Sequence, residues 1–178
     1  MLAATAALLL AGCGSTNSSS SSGSTSSPSA SPTKAGLIAK ADACTLVTAD
    51  DASAAVGTTV TNMSGGAATA GICAYGTADG QATVIALAQV YPDSTTAGNV
   101  SPQQLSAALN GAYGIGTAKV VTGIGDKAVE YSLNAASGTS GIVIFVFKAN
   151  VVLMIAITPT SDSTKIEQLA RTAIGKLS

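Results

Sequence analysis

Ile142-Val143-Ile144-Phe145-Val146-Phe147-Lys148-Ala149-Asn150-Val151-Val152-Leu153-Met154-Ile155-Ala156-Ile157-Thr158 is the stretch on which the fold turns. Two runs rich in β-branched and aromatic residues, Ile142 to Lys148 and Val151 to Thr158, flank a short Lys148-Ala149-Asn150 segment. That is the pattern of an antiparallel strand pair joined by a tight turn. Neither run alternates apolar with polar residues, as a strand with one wet face would. Continuous apolarity therefore predicts a sheet covered on both faces at this point. A membrane hairpin is the other reading of so apolar a block. Lys148 and Asn150 argue against it, because they cut the block into pieces far shorter than the roughly 20 apolar residues of a helical span.

Working outward, Ile166, Leu169, Ala170, Ala173, Ile174 and Leu177 recur at helical spacing after the strand pair. Lys165, Glu167, Arg171 and Lys176 lie off this stripe, so the chain ends in an amphipathic helix that packs on the sheet. A groove-binding helix for a partner is the alternative use of the same pattern. Upstream, Ala118 to Thr122 and Lys127 to Leu133 read as strands around a Gly123-Ile124-Gly125-Asp126 turn. Ser101-Pro102-Gln103-Gln104 has the Ser cap and early Pro of a helix start, predicting a helix to about Ala112. Further back, Thr58 to Met63, Gly71 to Tyr75 and Ala82 to Tyr91 read as strands, with turns at Ser64-Gly65-Gly66 and Asp79-Gly80. Leu37 to Ala43 reads as a short helical approach to Cys44. Thr48, with Asp51 three residues on and Gly57 at the end, frames a second helix. The order is helix, three strands, helix, four strands, helix, and the class is α+β, an antiparallel sheet with packed helices.

The N-terminal part has a different character. Leu2 to Gly12 is an apolar run with no Lys or Arg before it, too short to span a bilayer. Leu10-Ala11-Gly12-Cys13 resembles the bacterial lipobox, in which the cysteine thiol receives a diacylglycerol and the chain is cut just before it. The resemblance implies that residues 1–12 are a lipoprotein signal peptide, with a basic region upstream of an internal or misplaced Met1, and that Cys13 is the lipidated N-terminus. An ordinary buried helix with a core cysteine is the alternative. Ser15 to Thr33 is almost entirely Ser and Thr, uncharged and without large apolar residues, so residues 13–33 are expected to be a disordered tether. A coil of that length spans roughly 25 Å r.m.s.. Every charged residue lies from Lys34 onward, and residues 34–178 are expected to form one extracytoplasmic domain.

The 178-residue chain has 8 Lys+Arg, 9 Asp+Glu, 3 Cys, and neither His nor Trp. Without His, the Ser-His-Asp and Cys-His sites and most zinc sites cannot be built. A net charge of -1 leaves no basic footprint for nucleic acid. With Cys13 assigned to lipid, Cys44 and Cys73 remain. An even remainder in an exported protein points to a disulfide, against two free thiols. Closing a loop of about 30 residues stabilises by roughly 3–4 kcal/mol in the chain-entropy picture. A redox-active pair lacks support from spacing, since no C-x-x-C occurs.

Asp42-Ala43-Cys44-Thr45-Leu46-Val47-Thr48, continuing through Ala52 and Ala55 to Gly57, resembles the opening of a group of uncharacterised actinobacterial lipoproteins. Cys73-Ala74-Tyr75 and Gly123-Ile124-Gly125-Asp126-Lys127-Ala128 also look like that group. The resemblance implies an exported, lipid-anchored, disulfide-bonded α+β domain without an assigned activity. In general shape the group is similar to PsbP-like lipoproteins and to extracellular sensor domains of actinobacterial kinases.

The remaining motifs carry little chemistry. Gly111-Ala112-Tyr113-Gly114-Ile115-Gly116 lacks the Gly-Lys-Ser/Thr ending of a phosphate loop and reads as a hinge or turn. Asp50 and Asp51 suit a helix first turn. Asp126 belongs to a Gly-Asp turn and Glu130 to a strand face, which disfavours a catalytic carboxylate pair. Asn62-Met63-Ser64 and Asn99-Val100-Ser101 match a eukaryotic glycosylation pattern that has no bearing on bacterial export. Tyr75, Tyr91, Tyr113 and Tyr131 are the candidates for a recognition surface, against simple packing. No catalytic residue, cofactor or metal is expected. The leading expectation is a non-enzymatic lipoprotein on the outer face of the cell membrane, binding an envelope protein, glycan or lipid. A carrier of an apolar ligand in a cavity between sheet and helices is the alternative, and a hydrolase with unusual groups a distant third.

Overall fold

The computed structural model describes residues 36–65, 71–101, 113–135, 138 and 140–177. Residue contacts divide the chain into Met1–Thr33 and Lys34–Ser178, and the description below concerns the second unit. The expected signal peptide, Cys13 and the Ser/Thr-rich tether lie outside the described residues, as does the helix expected between Pro102 and Ala112.

In chain order the elements are α1 (Ala43–Leu46), α2 (Ala49–Val56), β1 (Thr61–Asn62), β2 (Ile72–Gly76), β3 (Thr83–Val90) and α3 (Ser94–Gly98). They are followed by β4 (Tyr113–Val121), β5 (Lys127–Ala135), β6 (Ser140–Lys148), β7 (Val151–Thr158) and α4 (Ser163–Gly175). The strands form one antiparallel sheet in the order β1-β2-β3-β7-β6-β5-β4. Two meanders, β1 to β3 and β4 to β7, are thus joined along β3 and β7, and the fold is α+β as expected.

The most apolar strand, β7, takes the middle position, where every one of its residues is buried. Its side chains divide by the two-residue period of a strand. Val151, Leu153, Ile155 and Ile157 join Ile142, Ile144 and Val146 of β6 on the face that packs against Leu46, Ala52 and Ala55 and the stripe of α4. Val152, Met154 and Ala156 join Val143, Phe145 and Phe147 on the other face, with Ala97 of α3 among their neighbours. Both faces are covered, and continuous apolarity follows from that. On α4 the stripe Ile166, Leu169, Ala170, Ala173 and Ile174 is buried, and Leu177 just beyond the helix joins it.

The β6–β7 turn is the tight connection foreseen, with Lys148 paired to Val151 and Ala149 at φ 50°. Asn150 is 2% exposed and organises three segments. Its side chain accepts from the Ile38 N–H at 2.7 Å and donates to the carbonyls of Ile38 and Tyr91 at 3.0 and 2.8 Å.

Three expectations are corrected. Leu37 to Ala41 is not helical: Asp42 caps a helix that begins only at Ala43, and Ile38 gives its backbone groups to Asn150. Thr58 to Met63 contributes a strand of only two residues, Thr61 and Asn62, opposite Gly76 and Tyr75, with one further bond from the Met63 N–H to the Ala74 carbonyl. The last part of the Gly111–Gly116 stretch is no hinge. Tyr113 to Gly116 opens β4, and Gly116 lies so close to β5 that a Cβ there would sit 2.2 Å from Ser132 Oγ. The five-residue α3 had a legible signal, Asp93 with Thr96 three residues on, whose N–H the Asp93 carboxylate accepts at 2.7 Å.

Candidate functional site

One cluster of polar groups lies where α1 meets β2. Asp42 begins the corner by accepting from the N–H groups of Cys44 and Thr45 at 2.9 and 3.2 Å, which fixes the first turn of a four-residue helix. That turn presents Cys44, half-buried, to Cys73 on β2, and the two form a disulfide across 29 residues with Cα atoms 5.1 Å apart. The pairing expected from the cysteine count is therefore present. Two residues along the same strand face, the buried Tyr75 hydroxyl donates to the Val47 carbonyl at the C-terminal end of α1. Burial pushes the Tyr75 phenol up, and the charges of Asp51 and Asp42 add to this, so the hydroxyl keeps its proton as a donor.

Cys73 is fully buried, yet its sulfur has polar company. Asn62 Nδ2 and Ser64 Oγ each lie 3.4 Å from Cys73 Sγ, and Tyr75 Oη lies 3.0 Å from it. Cys44 Sγ has Asn62 Nδ2 at 3.9 Å. Asn62 is oriented by its own Oδ1, which accepts from the Ser64 N–H at 2.8 Å. Ser64 Oγ in turn accepts from the Ala74 N–H at 2.8 Å.

Beside this corner the capping box foreseen at Thr48 and Asp51 is formed. Lys176, after α4, reaches back to Asp51 at 2.6 Å and to the Leu46 carbonyl at 3.1 Å. Burial alone would raise the Asp51 carboxyl. The hydrogen bonds from Lys176 and Thr48 outweigh it and hold the group below its ordinary value. Two shallow grooves flank the ion pair. One, of about 110 Å³, runs between α2 and α4 along Ala54, Lys165, Gln168 and Thr172. The other, of about 230 Å³, lies between Lys40, Thr45 and Leu177. Both are lined largely by exposed residues of the helical layer rather than by the sheet.

The other carboxylates hold structure. Asp93 and Asp162 cap α3 and α4, and Asp79 accepts from the Gln81 N–H in a turn. Asp126 accepts from the Ala149 N–H at 2.7 Å and so braces the β6–β7 turn. Glu130, 5% exposed, accepts from Ser163 Oγ at 2.6 Å, while its second oxygen has no partner among the described residues. Lys119 bridges to Glu167 at 3.1 Å and approaches Glu130 at 3.9 Å. Arg171 bonds Glu167 and the Gly123 carbonyl. Asp126 and Glu130 are thus engaged by different elements, the first by the β6–β7 turn and the second by the start of α4. No group of three or more His, Cys, Asp or Glu side chains suited to a metal ion occurs among the described residues.

Of the four tyrosines, Tyr75 and Tyr131 pack inside, the latter edge-on to Phe145 at 5.9 Å. Tyr91 is half-buried and bonds Gln89, and the side chain of Tyr113 lies outside the described residues. The residues that sequence reasoning missed are Asn62 and Ser64. Only the Asn-x-Ser spacing singled them out, and that pattern says nothing about a sulfur on the neighbouring strand.

A profile of the family described as "Protein of unknown function (DUF3558)" matches residues 8–140. No curated protein matches the chain. Among solved structures, the extracellular domain of PknH from Mycobacterium tuberculosis is similar at 13% identity and a TM-score of 0.49, over 78% of this chain and 96% of that one.

Proposed function

The chain belongs to the DUF3558 family, whose description is a protein of unknown function, and from that premise we propose a lipid-anchored, extracytoplasmic, non-enzymatic module that binds a component of the cell envelope. The observation that carries this reading is the Cys44–Cys73 disulfide, since such bonds persist in oxidising compartments outside the cytoplasm. The lipobox-like Leu10-Ala11-Gly12-Cys13 and the Ser/Thr-rich segment after it supply an anchor and a tether for a domain working at the membrane's outer face. The use of nearly all carboxylates as caps and braces, together with the absence of His from the sequence, supports binding over catalysis. Among the described residues no helix is long and apolar enough to cross a membrane, so the lipid on Cys13 is the attachment in this reading.

The experiment is metabolic labelling with an alkyne-tagged palmitate in an actinobacterial host, followed by detergent-phase partitioning. The wild-type chain takes up label and enters the detergent phase. Cys13→Ser loses both properties. A labelled, membrane-bound Cys13→Ser chain overturns the anchor, and a small molecule that co-purifies in native mass spectra replaces the partner-binding role with a carrier.

A further inference from the structure

A disulfide whose only task is to staple α1 to β2 needs no hydrogen-bond donors, because a disulfide sulfur is a poor acceptor. Cys73 Sγ nevertheless has Asn62 Nδ2 at 3.4 Å, Ser64 Oγ at 3.4 Å and Tyr75 Oη at 3.0 Å. The arrangement is lopsided. Cys44 is the half-exposed partner and has one distant amide at 3.9 Å, whereas Cys73 is fully buried and ringed. In the oxidised state only the Asn62 amide points an uncommitted proton at Cys73, since the Ser64 hydroxyl has the Ala74 carbonyl equally near and the Tyr75 hydroxyl is given to Val47. All three can turn to this sulfur once it is an anion, and the better-stabilised thiolate is the better leaving group in thiol–disulfide exchange.

We propose that the Cys44–Cys73 bond is a thiol-exchange site whose reaction partner is a protein or small-molecule dithiol attacking from solvent at Cys44. In the first step a thiolate of the dithiol forms a bond to Cys44 Sγ. The S–S bond breaks, and its electron pair goes to Cys73 Sγ, which leaves as a thiolate. In the second step the partner's other thiolate attacks the partner sulfur of this mixed disulfide and expels the Cys44 thiolate. Two electrons pass to this chain, two protons follow them onto the cysteines, and the dithiol becomes a disulfide. The Tyr75 hydroxyl has a single proton, given to the Val47 carbonyl in the oxidised state and available to a sulfur that turns anionic.

The surroundings make the exchange reversible without unfolding. The Lys176 bond to the Leu46 carbonyl holds α1 when the covalent link opens, whichever way the Tyr75 proton turns. The Asp42 cap also leaves Cys44 in place for reoxidation.

The test uses the full chain with its disulfide intact and glutathione as a monothiol probe. After brief exposure, free thiols are blocked with N-ethylmaleimide and the positions of both tags are read by peptide mass spectrometry. Glutathione is expected on Cys44 and the maleimide on Cys73, with at least about tenfold preference, and the preference should vanish in concentrated urea. Glutathione on Cys73, an even distribution, or no adduct in the folded chain overturns the proposal. Asn62→Asp provides the second readout, since it keeps the Oδ1 acceptor for Ser64 but replaces the donor near sulfur with a carboxylate. Reduction by dithiothreitol should slow about tenfold or more in this variant, and an unchanged rate overturns the role of the donor ring.

Discussion

Asp51 is the residue at which the helical layer is most tightly tied together. It closes the capping box with Thr48 and accepts from Lys176 at the far end of the chain. Its folded pKa is depressed below the ordinary 3.8, so its contribution is complete above that value and is lost as pH falls through the lower, folded one. Wild type should therefore be more stable than Asp51→Asn by a constant margin near neutrality, and the margin should close below about pH 4. Urea unfolding at a series of pH values checks this; a margin that persists in acid contradicts it. Glu130 is a different case, a buried carboxylate with one oxygen bonded to Ser163 and the other unpartnered. Ser163→Ala should cost about 1–3 kcal/mol, because it leaves a buried carboxyl oxygen without its hydrogen bond. The double change Glu130→Met with Ser163→Ala should recover most of that loss, since an apolar side chain needs no partner. Denaturant midpoints of the two variants decide the matter.

At the scale of elements, capping and turn chemistry explain where segments begin and end. Each of the four helices among the described residues starts at a side chain that accepts from the first turn: Asp42, Thr48, Asp93 and Asp162. Strand pairs depend on turns, and two are unusual. Gly125 has φ 60°, and a Cβ on it would meet the Phe147 carbonyl at 2.5 Å, so only glycine lets the β4–β5 connection close onto β6. Ala149 holds the left-handed conformation without being glycine, braced by Asp126. Ala149→Gly should therefore stabilise the domain by about 1 kcal/mol, read as a higher thermal midpoint. A fall in that midpoint means that the entropy lost on folding glycine outweighs the relieved strain.

For the whole molecule, the order of strands sets the energetics. β7 at the centre and β6 beside it are buried on both faces, while β4 is an edge strand with Val120 75% exposed. Leu153→Ala should cost about 2–5 kcal/mol through lost burial and a cavity. Val120→Ala should stay within about 0.5 kcal/mol. Chemical unfolding separates them, and similar losses at both positions contradict the layered arrangement. The edge is managed rather than hidden, by Lys119 and by an irregular register between Ile115 and Ala118. Lys119 and Arg171 tie that edge to α4, through Glu167 and the Gly123 carbonyl.

Local chemistry was legible in the residues themselves. The α4 stripe, the Thr48 and Asp51 box, the β6–β7 hairpin and the pairing of two cysteines follow from periodicity, capping and counting, all of which act within a few residues or on composition. Strand existence was readable for the same reason, and the breadth of β7's apolar run even indicated its two covered faces. What sequence alone did not reach was the joining of β3 to β7, the fate of Asn150 between Ile38 and Tyr91, and the donors gathered on Cys73. Each is a meeting of segments distant in the chain, selected by how the two meanders share one sheet and not by any pattern within either. The short reach of sequence signals determines elements, and the packing of those elements decides which polar groups meet.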